Sequence, residues 1–194
     1  SDMSVEDANS LAANLGIKHS VIPIGDVYNS FQKSLENEFS GLEPDVTEEN
    51  LQSRCRGVIL MALSNKSGEL VLTTGNKSET AVGYSTLYGD TAGGFGVLKD
   101  VPKTIVYELS RYRNRISSVI PERIIERPPS AELAPDQQDS DSLPDYDILD
   151  KVIEMYVEQD QSKQEIEESG VEKTVVDRVI RLIDISEYKR RQAP

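Results

Sequence analysis

Apolar residues recur every three or four positions in several segments of the chain, a spacing that places them on one face of a helix. The first two helices are predicted from these apolar sets: Val5, Ala8, Leu11 and Leu15, then Val27, Phe31, Leu35 and Phe39. A Ser4-x-x-Asp7 capping box is expected to begin the first helix, and Gly16 to end it. A third helix is predicted from Thr47, as its N-cap, to about Lys66, with Gly68 as the stop.

Two short apolar runs between these helices are predicted to be strands. Residues 19–24 form the first, although Pro23 cannot donate a hydrogen bond to a sheet, and residues 69–74 form the second. Strands that alternate with helices of this length predict βαβ units, a parallel sheet and an α/β fold class. Ligands of such sheets bind beyond the carboxyl ends of the strands, so the residues after Thr73 are the first candidates for a site.

The remaining chain alternates between polar and amphipathic segments. Residues 75–96 are rich in Gly, Thr, Ser and Asn and are expected to form a functional loop, and Pro102 suits the first position of a following helix. Helical spacing returns in residues 145–159 and 174–183, whereas residues 134–142 have almost no apolar content and are expected to be mobile.

Composition and charge exclude several classes of protein. The 194 residues include 34 acidic and 21 basic side chains, and the net charge of -13 would repel the phosphate backbone of a nucleic acid. No apolar run approaches the ~20 residues that span a bilayer, and no signal peptide is expected. A single cysteine, Cys55, excludes an internal disulfide and favours a reducing cytoplasm. One cysteine and one histidine also exclude a zinc site built on those ligands.

The densest set of candidate functional residues follows the second predicted strand. A Thr-Gly turn there allows a ligand to approach the backbone closely, and the carboxylates of Glu79 and Asp90 beside a phosphate would suit Mg²⁺. Lys103 lies in the first turn of a predicted helix, where the helix dipole disfavours a positive charge. Its presence there therefore indicates another role, and contact with a phosphate is one candidate. From spacing alone, solvated charges at helix starts beside a glycine-rich turn explain the same pattern equally well.

Specific motifs are distributed over nearly the whole chain. Among them are Leu72-Thr-Thr-Gly-Asn-Lys-Ser-Glu79, Thr86-Leu-Tyr-Gly-Asp90 and Lys99-Asp-Val-Pro-Lys103, and others lie in residues 45–57, 63–66, 81–84, 129–133, 143–147 and 188–194. Together these motifs resemble the synthetase domain of the NAD⁺ synthetases, most of all the glutamine-dependent branch of that family. The resemblance implies an adenine nucleotide α-hydrolase-like, Rossmann-like fold with a parallel sheet and helices on both faces. Residues 1–130 would form its core, and residues 131–194 an acidic loop and C-terminal helices.

The resemblance also implies a reaction. A family member adenylates the nicotinate carboxylate of deamido-NAD⁺ with ATP and Mg²⁺, releasing pyrophosphate, and ammonia then displaces AMP to give NAD⁺. The ammonia is free or is derived from glutamine. The implied protein is a cytoplasmic homodimer or larger homo-oligomer without nucleic acid or membrane partners, and the apolar run 58–63 is expected in a subunit interface.

Site residues follow from the same resemblance, position by position. They are Thr74, Lys103 and Ser130 for ATP; Asn50, Arg54, Glu79, Asp90 and Lys189 for deamido-NAD⁺; Glu79 for the metal; and Glu79 and Lys103 as the catalytic residues. Cys55 and His19 are interpreted as structural.

One family motif is missing from the sequence. The phosphate loop Ser-Gly-Gly-x-Asp-Ser has no counterpart in these 194 residues, and neither has a glutaminase domain. The chain is therefore expected to be a fragment that is inactive on its own. Two alternatives stay open: another ATP pyrophosphatase that amidates a different acceptor, such as a GMP-synthetase-like enzyme, and a non-catalytic scaffold domain that lacks the phosphate loop.

Overall fold

A computed structural model of the chain describes residues 1–134 and 137–194 and is mainly helical. The elements, in chain order, are α1 (Asp2–Leu15), α2 (Gly25–Leu35), α3 (Val46–Ser67), β1 (Leu72–Thr73), α4 (Lys77–Val82), β2 (Phe95–Gly96), α5 (Lys103–Ile116), α6 (Glu122–Glu126), a 3-10 turn (Asp139–Asp141), α7 (Tyr146–Ile153) with a π-helical continuation (Glu154–Glu158), α8 (Lys163–Glu168), α9 (Lys173–Ile185) and α10 (Glu187–Arg190). Within the described ranges, no helix is both long and apolar enough to cross a membrane.

The strands β1 and β2 run parallel and form the sheet of the described residues. Leu72 lies opposite Phe95, and Thr73 lies opposite Gly96. Helix α4 lies between the two strands in sequence, so β1, α4 and β2 form one βαβ unit. The predicted combination of helices with a parallel sheet is confirmed, and the run predicted as a strand over residues 69–74 pairs only at Leu72 and Thr73.

Residues 19–24 were predicted as a strand, and this prediction was wrong. The segment has irregular backbone, and its apolar side chains Val21 and Ile22 are exposed. A strand is stable only when its backbone groups are paired, and the sheet of the described residues contains no neighbour for this segment. Pro23 removes one of the donors that such pairing would need.

The glycine-rich segment 75–96 was expected to be a loop, yet it begins with helix α4. Asn76 is the N-cap of α4: its side-chain oxygen accepts a hydrogen bond from the Glu79 backbone N–H at 3.0 Å. The Glu79 carboxylate accepts in return from the Asn76 N–H at 3.4 Å. This reciprocal capping box stabilises a helix too short to form from propensity alone.

Helices α1, α3 and α5 differ slightly from their predicted boundaries. Ser1, rather than Ser4, caps α1, and Asp45, rather than Thr47, caps α3 through a bond from the Thr47 N–H at 2.7 Å. Pro102 is the N-cap of α5 and not its first helical residue. The predicted stops are confirmed, because the glycines that end α1 and α3 adopt the left-handed conformation.

The hydrophobic core lies where α4 packs against the C-terminal helices. Its buried residues are Ala81, Val82, Leu143, Leu149, Val152, Ile153, Ile166, Val171, Val176, Val179, Ile180 and Ile183. Of the segment 134–142, which was expected to be mobile, Pro135 and Asp136 lie outside the described residues. The described part contains the 3-10 turn and the buried side chain of Asp139, whereas Gln138 and residues 140–142 are exposed.

Gly83 ends α4 at a place where a side chain does not fit. Its φ is 69°, and an added Cβ would lie 2.2 Å from Ser186 Oγ. Gly68 has a similar φ of 76°, but nothing lies within 4 Å of an added Cβ. Both Ala substitutions share the left-handed strain, so we expect Gly83→Ala to lower the free energy of unfolding by about 1–3 kcal/mol more than Gly68→Ala. Urea denaturation measures the difference, and equal losses would contradict the clash.

Candidate functional site

Glu79 and Lys103 form an ion pair between α4 and α5. Lys103 Nζ donates to Glu79 Oε1 at 2.8 Å, and the two side chains are 18% and 20% exposed, respectively. Burial disfavours the charged form of Lys103, but the charge of Glu79 and its hydrogen bond outweigh burial and raise the Lys103 pKa. Lys103 is therefore a fixed positive charge, which suits contact with a phosphate oxygen and not the abstraction of a proton.

A partly buried tyrosine and a buried carboxylate complete the surroundings of Lys103. The Lys103 ammonium lies 5.3 Å from the centroid of the Tyr146 ring, and the Tyr146 hydroxyl donates to Asp139 Oδ2 at 2.7 Å. Burial and the neighbouring Asp139 carboxylate raise the pKa of Tyr146, so its hydroxyl stays a donor. Sequence reasoning missed both residues, and the only available signal was the position of Tyr146 inside the 143–147 motif.

Asn50 and Arg54 both contact the loop that follows α4. Asn50 Oδ1 accepts from Thr86 Oγ1 at 2.8 Å, and Arg54 Nε donates to the Leu87 carbonyl at 3.2 Å. The two residues thus share one face of α3, as their spacing of one turn predicts.

Asp90 lies within the same loop and fixes its shape. Asp90 Oδ1 accepts hydrogen bonds from Ser53 Oγ at 3.0 Å and from the Thr86 N–H at 2.8 Å. The loop also approaches α3 very closely, since a Cβ at Gly57 would lie 2.6 Å from the Tyr88 carbonyl oxygen. Tyr88 itself has a φ of 63°, a left-handed conformation that non-glycine residues adopt at a cost in energy. Close contacts with α3 therefore hold the loop in one strained shape.

Lys189, on α10, holds the beginning of this loop. Its Nζ donates to the carbonyl oxygens of Gly83 and Ser85, both at 2.7 Å. Burial lowers the pKa of Lys189, and the nearby charge of Asp90 opposes that shift. Arg190 donates to the Ala81 carbonyl at 2.6 Å, so the basic tail binds carbonyls at the C-terminal end of α4, where a helix attracts cations.

Thr74 and Ser130, the other two sequence-predicted residues, contact neither Glu79 nor Lys103 by hydrogen bonds. Thr74 is exposed directly after β1, and its side chain makes no hydrogen bond within the described residues. The Ser130 hydroxyl donates to the Gln137 carbonyl and accepts from the Glu132 N–H at 3.0 Å, which closes a local turn after α6. The turn is connected to Asp139 through the preceding residue: the Pro129 carbonyl accepts a hydrogen bond from the Asp139 N–H at 3.0 Å.

Glu79 and Asp90 line one small pocket beside the loop after α4, together with Thr73, Gly75, Thr80, Tyr84, Ser85, Thr91, Lys99, Ala193 and Pro194. Among the residues that the structure describes, no three His, Cys, Asp or Glu side chains form a metal-binding group. Mg²⁺ commonly uses only one or two protein carboxylates and completes its shell with water and phosphate oxygens. Glu79 offers one such carboxylate, and its two oxygens also accept hydrogen bonds from Lys103 Nζ and from the Asn76 N–H.

Comparisons with known proteins point to one family. The NAD synthase family model matches residues 1–193. The glutamine-dependent NAD(+) synthetase of Acinetobacter baylyi is 59% identical over 194 residues, which cover 99% of this chain and 36% of that protein. This chain spans about a third of the length of the curated relatives that it matches.

Two solved structures resemble the chain over its whole length. One is the glutamine-dependent NAD⁺ synthetase of Acinetobacter baumannii in complex with ADP, at 50% identity and a TM-score of 0.65 over 35% of that chain. The other is the NMN synthetase of Francisella tularensis, at 27% identity and a TM-score of 0.82 over 73% of that chain. By its family match and by this similarity, the chain belongs to the NAD synthase family.

Proposed function

We propose that the chain is the amidating part of a glutamine-dependent NAD⁺ synthetase. The nicotinate carboxylate of deamido-NAD⁺ attacks the α-phosphorus of ATP, and pyrophosphate leaves. Ammonia then attacks the acyl carbon, loses a proton and expels AMP, so that the amide of NAD⁺ forms. The observation that carries this proposal is the largely buried Glu79–Lys103 ion pair between α4 and α5, in a chain 59% identical to the A. baylyi synthetase.

The two members of the ion pair suit different parts of the adenylation. Lys103 would donate to a phosphate oxygen and stabilise the charge that develops as pyrophosphate departs. Glu79 would hold Mg²⁺, which would neutralise further phosphate oxygens when it is bound. We also assign Thr74 and Ser130 to ATP, which is supported by the exposed position of Thr74 beyond the end of β1.

The loop after α4 is the proposed binding surface for deamido-NAD⁺. Asn50 and Arg54 contact it from α3, Asp90 fixes it from within, and Lys189 holds its start from α10. Residues far apart in sequence therefore converge on one loop. Such a fixed loop offers its polar groups to a ligand without the entropic cost of ordering it.

Further assignments concern the whole protein. We propose helices on both faces of a larger Rossmann-like sheet, with residues 1–130 as its core and residues 131–194 as the acidic loop and C-terminal helices. A cytoplasmic location is supported by the single cysteine, Cys55, which is free and has no partner cysteine among these 194 residues. A homodimer or larger assembly is supported by α3, whose apolar side chains Val58, Leu60 and Leu63 are exposed.

The test is a substrate comparison with the complete gene product that contains this chain. Deamido-NAD⁺, nicotinate mononucleotide and XMP are each supplied with ATP, Mg²⁺ and ammonia, and the amide product is quantified. We expect kcat/KM for deamido-NAD⁺ to exceed the other two by on the order of 100-fold or more, because only it offers both halves of a dinucleotide. Preference for either other acceptor would contradict the proposal, and no amide from any of them would favour a scaffold domain.

The isolated 194 residues are expected to release no pyrophosphate under the same conditions. Their sequence contains no Ser-Gly-Gly-x-Asp-Ser loop. In nucleotide sites, the backbone N–H groups of such loops donate hydrogen bonds to the phosphate oxygens. The complete gene product serves as the control at equal concentration. Normal turnover by the isolated chain would contradict this prediction.

A further inference from the structure

Three helices meet at the carboxylate of Asp150, which lies on α7. Asp150 Oδ1 accepts a hydrogen bond from Ser78 Oγ on α4. Asp150 Oδ2 accepts from the Thr104 N–H at 3.0 Å and from Thr104 Oγ1 at 2.7 Å, both on α5. Ser78 Oγ in turn accepts from the Lys103 N–H at 2.8 Å. One side chain of α7 therefore joins the start of α4 to the start of α5.

The residues that Asp150 binds are sequence neighbours of the ion pair. Ser78 precedes Glu79, and Thr104 follows Lys103. Adjacent residues within a helix are fixed relative to each other, so the bonds to Ser78 and Thr104 also set where the side chains of Glu79 and Lys103 begin. The 2.8 Å contact between these two side chains therefore depends on the separation that Asp150 imposes.

The N-cap residue of α5 has no side chain that could accept hydrogen bonds from the start of this helix. The N-cap is Pro102, which makes no side-chain capping bond. Asp150 supplies the missing acceptor from a different helix, and its negative charge is favourable at a helix N-terminus. Ser78 is fully buried, so loss of the carboxylate would leave its hydroxyl without an acceptor for its proton.

We infer that Asp150 is a positioning residue of this site: by joining Ser78 to Thr104, it holds Glu79 and Lys103 at the separation that adenylation uses. This inference rests on the proposed function for its catalytic consequence, whereas its structural consequence is independent of any substrate. The core residues Leu149 and Val152 anchor α7 beside Asp150, so removal of the carboxylate should loosen the pair more than the core.

The first test measures the geometry without a substrate. Lysines of the complete gene product are acetylated with limiting acetic anhydride, and the rate at each lysine is followed by mass spectrometry. We expect Asp150→Ala to raise the rate at Lys103 on the order of 10-fold, because the lysine is released from Glu79 more often. Lys189 is the internal control, and its rate should change less than about twofold, since its carbonyl partners lie at the other end of α4.

Two further variants separate positioning from loss of structure. Asp150→Asn keeps an acceptor oxygen for Thr104 but presents an NH₂ donor where the Ser78 hydroxyl needs an acceptor, so labelling of Lys103 should be faster than in the unmodified protein and slower than in Asp150→Ala. Asp147→Ala removes an exposed carboxylate from the same helix and should leave both rates unchanged. Equal acceleration at Lys103 and Lys189 in Asp150→Ala, or no acceleration at Lys103 in that variant, would overturn the inference.

The second test is kinetic. Asp150→Ala should lower kcat on the order of 10- to 100-fold with little change in the KM for deamido-NAD⁺, because a misplaced group affects the transition state most. In a Lys103→Ala background the same substitution should lower kcat clearly less than it does in the unmodified protein, because only Glu79 is left to be misplaced. Additive losses would overturn the inference. If the unmodified protein amidates no deamido-NAD⁺, the proposed function fails, and the labelling result still decides whether Asp150 positions the pair.

Discussion

Lys103→Ala is expected to lower kcat for NAD⁺ formation by on the order of 10²- to 10³-fold. The Lys103 ammonium is the buried cation beside Glu79, and a cation held in place before the reaction stabilises the charge that develops on the polyphosphate. Steady-state release of pyrophosphate by the complete gene product, with ATP and deamido-NAD⁺ varied in turn, measures the loss. We expect the KM for deamido-NAD⁺ to change much less than kcat, because the lysine is assigned to ATP.

Two controls belong to this experiment. Lys66→Ala removes an exposed lysine near the end of α3 and should leave kcat unchanged. Lys103→Arg keeps the positive charge but replaces a compact ammonium with a planar group, and it should recover only part of the activity. Lys103→Ala also leaves the carboxylate of Glu79 unpaired, so urea denaturation of each variant must show that it remains folded in the assay. A loss of kcat smaller than about threefold in folded protein would contradict the role.

Leu149→Ala is expected to lower the free energy of unfolding by about 2–5 kcal/mol. Leu149 is 0% exposed and lies in the core where α7 meets α4 and α9. Its truncation removes apolar contacts and leaves a cavity that packed helices close only in part. Guanidinium denaturation, followed by far-ultraviolet circular dichroism, measures the change.

The adjacent residue provides the matched control. Ile148 is 40% exposed on the same helix, so Ile148→Ala should cost roughly 1 kcal/mol or less. Both substitutions remove a branched aliphatic side chain from α7, and the difference between them reports burial alone. Equal losses would show that the core is not where the structure places it.

The amphipathic helices were the part of the fold most open to prediction. The spacing of apolar residues predicted α2 and α9, and left-handed glycines end α1 and α3 at the expected positions. These features depend on interactions within a few residues, which the sequence displays directly. The capping of α4 by Asn76 was equally local, but the surrounding glycines concealed a helix of one and a half turns.

The sequence predicted which residues belong to the candidate site, but it did not predict how their side chains contact one another. The motifs drew attention to Glu79 and Lys103, whereas nothing in their spacing showed that they would form an ion pair. Asp139 and Tyr146 were missed because their roles arise from tertiary contacts, one with the other and of the Tyr146 ring with Lys103. The carboxylate of Asp150 was missed for the same reason, since its partners are 46 and 72 residues away in sequence.

By itself, the sequence determined the longer amphipathic helices, the glycine stops and, through motifs spread over the chain, membership of the NAD synthase family. Only the tertiary structure decided that residues 19–24 are irregular, that the strand after residue 69 pairs at just two positions, and that α4, α5 and α7 meet at one carboxylate. The physical reason is that helices satisfy their own backbone, whereas strands and buried charges require partners that distant parts of the chain must supply.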